Sequence, residues 1–205
     1  MSLMEKTAKG LHAEIQHLLP KGKKFSTMFD VGCGTGALLK RLAEYYSEGY
    51  GTDLNDKDFI FKKSNIHFKK SNFNEGLPFK DKKFELITCT EIIEHVENQF
   101  MLIRNISDRL SDKGIAIISS PNIYNIWSRF LFFVNGRFIN FTNRDMREHI
   151  NPLVENIFEM RVLKDAGLKI ISKRYGRMHI PILNIYLPFR TKLLGNNVIY
   201  ILKKR

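Results

Sequence analysis

The sequence predicts an α/β fold built on a mostly parallel sheet, and three observations support this prediction. Short apolar runs typical of buried strands alternate with segments whose apolar residues recur at helical spacing. An early run ends in a turn with glycines at three alternate positions, Gly32, Gly34 and Gly36, directly before a helical pattern. The last two strand patterns have no helix between them, which favours an antiparallel final strand.

Strand and helix patterns can be placed along the whole chain. Strands are predicted over 28–31, 50–54, 66–68, 84–90, 114–119, 168–173 and 197–202. Helices are predicted over 5–19, 37–46, 56–63, 98–110 and 155–166, and Gly167 ends the last of them. We expect the final strand to be an antiparallel partner at the edge of the sheet.

Composition predicts one domain over residues 1–205, in which 1–3 are interpreted as a cloning scar. No signal peptide is visible, and no apolar stretch reaches the ~18–20 residues of a spanning helix. Neither Cys33 nor Cys89 lies in a context that suggests a disulfide, so a cytoplasmic protein is predicted.

Eleven Lys or Arg and one acid lie in residues 161–205 of a chain with net charge +12. This basic quarter is either a solvated face or a contact for an anionic partner: a phosphorylated substrate, a lipid surface or RNA.

The glycine-rich turn is suited to a ligand. Glycine tolerates positive φ and lets the backbone touch a bound molecule, and the following helix start offers free N–H groups. Asp53, about twenty residues on, ends the second strand and can accept hydrogen bonds from ribose hydroxyls. The third glycine comes one residue too early for a dinucleotide fingerprint, and Asp30 would repel a pyrophosphate. S-adenosylmethionine, which has a ribose and cationic groups but no phosphate, fits better.

Residues 30–36, Asp53 and 91–96 together resemble the class I S-adenosylmethionine-dependent methyltransferases. The resemblance covers roughly residues 25–205. It implies a Rossmann-like, doubly wound sheet of seven strands with helices on both faces, and S-adenosylmethionine as the cofactor. The cofactor-binding residues that it implies are Asp30, Gly32, Cys33, Gly34, Gly36, Asp53, Leu54, Asn72, Phe73, Thr90 and Glu91. At Asn72 the family commonly has an acid that accepts from adenine; the amide oxygen can accept without charge, or Asn72 is simply a turn residue.

A second motif, E-x-x-E-H, follows the fourth strand. In a helical turn Glu91, Glu94 and His95 would share a face, and His149 could join them from the loop after strand five. Such groups can bind a divalent cation or act as acid and base.

The E-x-x-E-H pattern resembles the ubiquinone-pathway O-methyltransferases and the small-RNA 2′-O-methyltransferases. In the small-RNA enzymes this pattern, with a later histidine, binds a metal. The resemblance implies Glu91, Glu94, His95 and His149 as ligands of Mg²⁺ or Mn²⁺. Without a metal, His95 and His149 are the candidate catalytic bases, with Glu94 orienting one of them.

Two segments, 121–154 and 176–195, are expected to cover the acceptor site. Both leave carboxyl ends of strands, so they should meet on the cofactor side of the sheet. Within the first, residues 123–141 form an aromatic insert with an apolar stripe at helical spacing: Ile123, Ile126, Trp127, Phe130, Leu131 and Val134. Core packing is the ordinary explanation of such a stripe, but Phe132 and Phe133 make the helix apolar beyond one face. The apolar and basic composition favours an anionic or amphiphilic acceptor, or peripheral contact with a membrane.

The expected function is methyl transfer to a small-molecule acceptor, with oxygen as the target. A quinone, a glycan precursor and a lipid-linked intermediate are the acceptors considered. RNA 2′-O-methylation is an alternative that the basic quarter favours, although nothing resembles an RNA-binding module. A cofactor-binding scaffold without turnover is a third hypothesis.

Overall fold

The computed structural model describes residues 3, 7–143, 145, 147–180, 183 and 185–205. Nine strands are present there: β1 (Phe25–Val31), β2 (Tyr46–Asp53), β3 (Ile66–Lys70), β4 (Phe84–Thr90), β5 (Leu110–Pro121), β6 (Leu168–Tyr175), β7 (Met178–Ile180), β8 (Ile185–Leu187) and β9 (Asn197–Lys204). Seven form one sheet in the order β3-β2-β1-β4-β5-β9-β6, and β7 and β8 form a separate hairpin. Neighbours from β3 to β5 pair in parallel, whereas β9 is antiparallel to both of its neighbours. The predicted sheet is therefore confirmed in strand number and direction.

The final strand is not at the edge of the sheet, and that expectation was wrong. β9 lies between β5 and β6, with Tyr200 opposite Ile118 and Val198 opposite Tyr175. The first four residues of β9 are all buried, as in a strand covered on both faces. β6 is the edge strand, and much of it is exposed. Chain order indicated the direction of β9 but not its place between two earlier strands.

The helices are α1 (Leu11–Leu18), α2 (Ala37–Arg41), α3 (Gln99–Arg109) and α4 (Ile126–Asn135), followed by a mixed helix whose segments are Glu155–Ile157, Phe158–Val162 and Leu163–Asp165. The middle segment of the mixed helix is π-helical. The predictions over 98–110 and 155–166 are confirmed. The N-terminal helix begins only after Gly10, and residues 1, 2 and 4–6 lie outside the described part of the chain.

Two helix predictions were wrong in extent. The helix after the glycine-rich turn ends at Arg41, and β2 begins at Tyr46, four residues earlier than predicted. Only the 3₁₀ turn Asp56–Asp58 forms within the helix predicted over 56–63. Beyond it Phe59 and Phe61 are buried while Ile60 is exposed, so the segment alternates with the period of extended chain.

The core consists of two layers, one on each face of the sheet. Along β1, Met28 packs with α1 and α2, while its neighbour Phe29 packs on the opposite face with α3 and the mixed helix. This alternation confirms helices on both faces. Cys33 and Cys89 are buried free thiols, as expected. In the described part of the chain, no helix is both long and apolar enough to cross a membrane.

Candidate active site

A cavity of about 500 Å³ opens at the carboxyl ends of β1, β2 and β4. Parallel pairing aligns these ends, since Val31 lies opposite both Thr52 and Cys89. The cavity is lined by ten of the eleven predicted cofactor residues: Asp30, Gly32, Cys33, Gly34, Asp53, Leu54, Asn72, Phe73, Thr90 and Glu91. Gly36 is not among the lining residues. It precedes α2 with φ 82°, and a Cβ there would lie 2.6 Å from Cβ of Phe61, so packing requires this glycine.

The other two glycines shape the floor of the cavity. Gly32 and Gly34 have φ values of 79° and 49°. A Cβ on Gly32 would lie 2.1 Å from Cδ1 of Ile92, whereas one on Gly34 would meet nothing within 4 Å. The Gly34 N–H donates to Oδ2 of Asp53 at 2.8 Å, and the Asn55 N–H donates to Oδ1 at 3.1 Å. The turn thus fixes the Asp53 carboxylate at the cavity wall, where a ribose is expected.

Asp30 is a buried acid at the cavity. The Thr88 hydroxyl donates to its Oδ1 at 2.7 Å. Burial raises the pKa of Asp30 to about 7, and the neighbouring Asp53 contributes to the rise. A cationic ligand group nearby would favour the ionised form. The end of β1 is therefore suited to the cationic part of a ligand.

Glu91 takes a conformation that the sequence pattern did not predict. It has φ 51°, in the left-handed region that residues with a Cβ rarely adopt. Its carboxylate accepts from the Ala8 N–H at 2.7 Å and from the side-chain amide of Asn197. Its own N–H donates to Ser119. Glu91 therefore does not share a helical face with Glu94 and His95, and its expected place among the metal ligands is corrected.

The other three predicted ligands do come together. Potential ligand atoms of Glu94, His95 and His149 all lie within 4.8 Å of one another. The 3₁₀ turn Ile93–His95 directly after β4 carries the first two. The Glu94 carbonyl accepts from the N–H groups of Ile150 and Asn151, both at 3.0 Å, which draws His149 to the end of β4. The two imidazole rings meet edge to face with centroids 4.6 Å apart.

Hydrogen bonds orient both imidazoles in this cluster, which we call the Glu-His-His cluster. Nδ1 of His95 lies 2.9 Å from the Glu148 carbonyl, and Nδ1 of His149 lies 2.7 Å from the Asn140 carbonyl. Each Nδ1–H therefore donates to a backbone oxygen, which leaves both Nε2 atoms as proton acceptors or ligands.

The electrostatics of the Glu-His-His cluster favour a cation. Neither carboxylate oxygen of the fully buried Glu94 has a hydrogen-bond partner in the part of the chain described here. Burial and the nearby Glu91 raise the pKa of Glu94 well above its usual range. Burial and the neighbouring His149 lower the pKa of His95, so its imidazole tends to be neutral. A buried carboxyl group without a partner beside two imidazoles fits a divalent cation.

Thr7, His12 and Glu148 are among the residues of the cavity wall that the sequence reasoning missed. His12 belongs to the buried face of α1, where Leu11 and Ile15 are the apolar members. A histidine at an inward position of an amphipathic helix was the available signal. No pattern in the sequence pointed to Thr7 or Glu148.

The two covering segments meet, as predicted. The Ile126 N–H donates to the Leu193 carbonyl at 2.7 Å, and the Asn122 amide donates to the carbonyls of Lys192 and Gly195 at 2.7 and 2.8 Å. Core packing, the ordinary explanation of the apolar stripe, does not hold for Ile126, Phe130 and Val134, which are exposed. Ile182, an apolar residue of the 176–195 segment that we also expected to wall the acceptor site, lies outside the described residues.

Part of the basic C-terminal quarter is paired within the protein. Lys173 and Lys192 both contact the buried Glu155, at 2.8 and 2.6 Å. Arg177 and Arg190 contact Glu14 at 3.5 and 3.1 Å. Arg177, Arg190 and Lys192 thereby hold the 176–195 segment to the rest of the domain.

The sequence profile of the methyltransferase domain family matches residues 4–173. The chain belongs to this family. The ubiquinone biosynthesis O-methyltransferase of Coxiella burnetii is 29% identical over 113 residues, which cover 52% of this chain and 47% of that protein. The protein of the same name from Nitrosospira multiformis is 24% identical over 168 residues, covering 78% of this chain and 69% of that protein. This methyltransferase chain spans about half the length of the first of these relatives.

Solved structures share the fold of this methyltransferase. An S-adenosylmethionine-dependent methyltransferase from Archaeoglobus fulgidus superposes with a TM-score of 0.66 at 17% identity, covering 95% of this chain and 93% of that one. One from Mesorhizobium loti superposes with a TM-score of 0.65 at 14% identity, covering 94% and 96%. The Rossmann-like class I fold predicted from the sequence is confirmed.

Proposed function

We propose that this methyltransferase transfers the methyl group of S-adenosylmethionine to an oxygen atom of a small-molecule acceptor. The observation that carries this proposal is the Glu-His-His cluster beside the cofactor cavity, which is lined by His95. A hydroxyl acceptor must lose a proton during methyl transfer, and this cluster offers proton acceptors and cation ligands. The names of the matched relatives make a phenolic quinone precursor the first acceptor to try, ahead of a glycan or lipid-linked intermediate.

The cavity fits S-adenosylmethionine in the chemistry of its walls. Asp53 would accept from the ribose hydroxyls, and Asp30 faces the space suited to the cationic methionine end. Asn72 and Phe73 would bind the adenine through an amide and an aromatic ring. The cofactor supplies a methyl group activated by a sulfonium. The protein's own task is to align the acceptor with that methyl group and to remove the acceptor proton.

We assign the proton acceptor to the Glu-His-His cluster. Without a metal, Nε2 of His95 or His149 would take the proton, since each Nδ1 is already used by a backbone carbonyl. A divalent cation held by Glu94, His95 and His149 would occupy both Nε2 atoms; it would instead lower the pKa of the acceptor hydroxyl, so that the proton passes to solvent. Two imidazoles and one carboxyl group favour Mn²⁺ over Mg²⁺ at such a site.

The test is a transfer assay with methyl-labelled cofactor and catechol-type acceptors, in excess chelator and after return of Mn²⁺ or Mg²⁺. We expect labelled methyl ether, loss of the product in chelator and recovery with Mn²⁺. His149→Ala should lose roughly 100-fold or more in turnover, while the exposed His67→Ala, on β3, should retain it. Calorimetric titration with Mn²⁺ alone should show binding that His149→Ala lacks.

Two results would change this assignment. Full turnover in chelator would leave the cluster as a metal-free general base, a role favoured by the lowered pKa of His95. Activity would then decrease only at pH values below the usual pKa range of histidine. Methyl label on nitrogen, or no label on any hydroxyl acceptor, would contradict oxygen as the target.

A further inference from the structure

Helix α4 buries its polar side and exposes its apolar side, the reverse of an ordinary surface helix. Its one buried residue is Ser128, whereas Phe130 is 65% and Phe133 89% exposed. Ile126 and Val134, also exposed, stand four residues before and after Phe130 and therefore share its face of the helix. Exposed apolar residues occur singly on most proteins, but four on one helical face form a patch.

Polar contacts fix this orientation. The buried Asn125 side chain accepts from the Ser128 N–H at 2.9 Å and caps the helix. The Ser128 hydroxyl oxygen accepts from the Ile139 N–H at 3.0 Å. These bonds hold the polar side of α4 inward. The phenylalanines lie on the other side of the helix and therefore point outward.

The 176–195 segment extends the patch. Leu193 is about half exposed there, and its carbonyl accepts the Ile126 N–H. We call the combined surface the apolar face and define it by the following residues: Ile126, Phe130, Phe133, Val134 and Leu193.

The two segments that carry the apolar face supply only positive charge of their own. Neither 121–143 nor 176–195 contains an aspartate or glutamate. Arg129 and Arg137 stand exposed on and beside α4, and the whole chain carries a net charge of +12. Aromatic and aliphatic residues beside exposed arginines suit the boundary between headgroups and acyl chains of an anionic bilayer. On a complementary acidic protein, the phenylalanine rings would pack against charged side chains of the partner.

We infer that the apolar face docks this protein on an anionic lipid bilayer, with α4 lying in the plane of the interface. The ten residues of α4 give a length of about 15 Å, far short of the hydrocarbon core. Docking therefore inserts side chains and not the helix. The segment that carries α4 leaves the sheet near the active site, because Pro121 pairs with Asn197, whose amide donates to Glu91 in the cavity wall. If the proposed function holds, an amphiphilic acceptor would reach the cavity from the lipid side.

The test is flotation with vesicles of phosphatidylcholine, with and without phosphatidylglycerol, in the absence of cofactor and acceptor. We expect binding only to the anionic vesicles, with a loss of roughly tenfold or more in Phe130→Ser/Phe133→Ser. The matched control is Ile157→Ser/Met160→Ser, which changes two exposed apolar residues on the mixed helix. It should bind as the parent does. Trp127, the one tryptophan of the chain, lies on α4, so its fluorescence should shift to the blue on docking.

Charge can be tested separately from apolar contact. Arg129→Gln/Arg137→Gln should weaken vesicle binding and make it less sensitive to salt, while Lys164→Gln/Lys169→Gln on another surface should have a smaller effect. Circular dichroism checks that each variant is folded. No vesicle binding by the parent, or equal binding by the Phe130/Phe133 variant, would overturn the inference. Concentration-dependent dimerisation without vesicle binding would also overturn it, and would assign the face to a second copy. None of these outcomes depends on methyl transfer.

Discussion

The active site and the apolar face depart from the usual distribution of polar and apolar groups in opposite directions. The active site buries carboxyl groups of Asp30 and Glu94, and Glu94 has no hydrogen-bond partner within the described residues. The apolar face leaves Phe130 and Phe133 in solvent while burying Ser128. In the absence of a ligand, the buried carboxyl groups of the active site reduce folding stability, because a buried charge must lose its hydration. The exposed phenylalanines of the apolar face have little effect on stability, because they contact water in both the folded and the unfolded state. The two regions should therefore respond differently to mutation and to pH.

Asp30 should produce the largest effect. Its pKa is raised from 3.8 to about 7, so the folded state binds more protons than the unfolded state between these values. The contribution of Asp30 to the free energy of unfolding is fully present below the unfolded pKa of 3.8 and is lost as the pH rises through about 7. The total loss is on the order of 4 kcal/mol. Asp30→Asn keeps an acceptor for the Thr88 hydroxyl and should remove this part of the slope. Urea unfolding of both proteins without cofactor, between about pH 5 and about pH 8, measures it. Equal slopes would show that Asp30 is not perturbed by burial.

Glu94 should give an intermediate effect. In chelator at about pH 8, Glu94→Gln should stabilise the fold by about 1–3 kcal/mol, because the amide carries no charge into the interior. Adding Mn²⁺ should stabilise the parent but not the variant, since only the parent binds the ion. Thermal unfolding with and without Mn²⁺ measures both effects. A variant less stable than the parent in chelator would show that the carboxylate has a partner in the apo protein.

The apolar face should give the smallest effect. Phe130→Ser/Phe133→Ser should change the free energy of unfolding by no more than about 0.5 kcal/mol per substitution. Leu102→Ala, at a fully buried position of α3, should cost about 2–5 kcal/mol in the same urea titration. A loss in the Phe130/Phe133 variant comparable to that of Leu102→Ala would show that α4 packs in the core, and the contrast between the regions would fail.

The sequence predicted local features well and long-range placement less well. The glycine-rich turn and Asp53 could be assigned because backbone conformation and ligand contact both restrict those positions. The left-handed conformation of Glu91 could not be foreseen, since it depends on Ala8 and Asn197, residues far away in the chain. No pattern within 91–95 contains that information.

The same distinction explains why the sequence left the orientation of α4 open and misplaced β9. Periodicity placed an apolar stripe on the helix, but only the contacts of Asn125 and Ser128 determine which way it faces. A stripe is usually inward, and here it is outward. Likewise, the apolar pattern of β9 indicated a buried strand, while its position between β5 and β6 depends on pairing with both.

The position of β9 imposes an order of assembly during synthesis. β5 and β6 cannot become joined through the sheet until β9, which is translated after both, fills the gap between them. Until then the six residues of β5 that pair with β9 in the finished sheet, 116–121, form an unpaired edge that can recruit a strand from another nascent chain. The Asn197 amide that holds Glu91 also arrives with β9, so the cavity wall is completed at the same step. Sheet closure and pocket closure are thus one late event, and ribosome pausing before β9 would leave both unfinished.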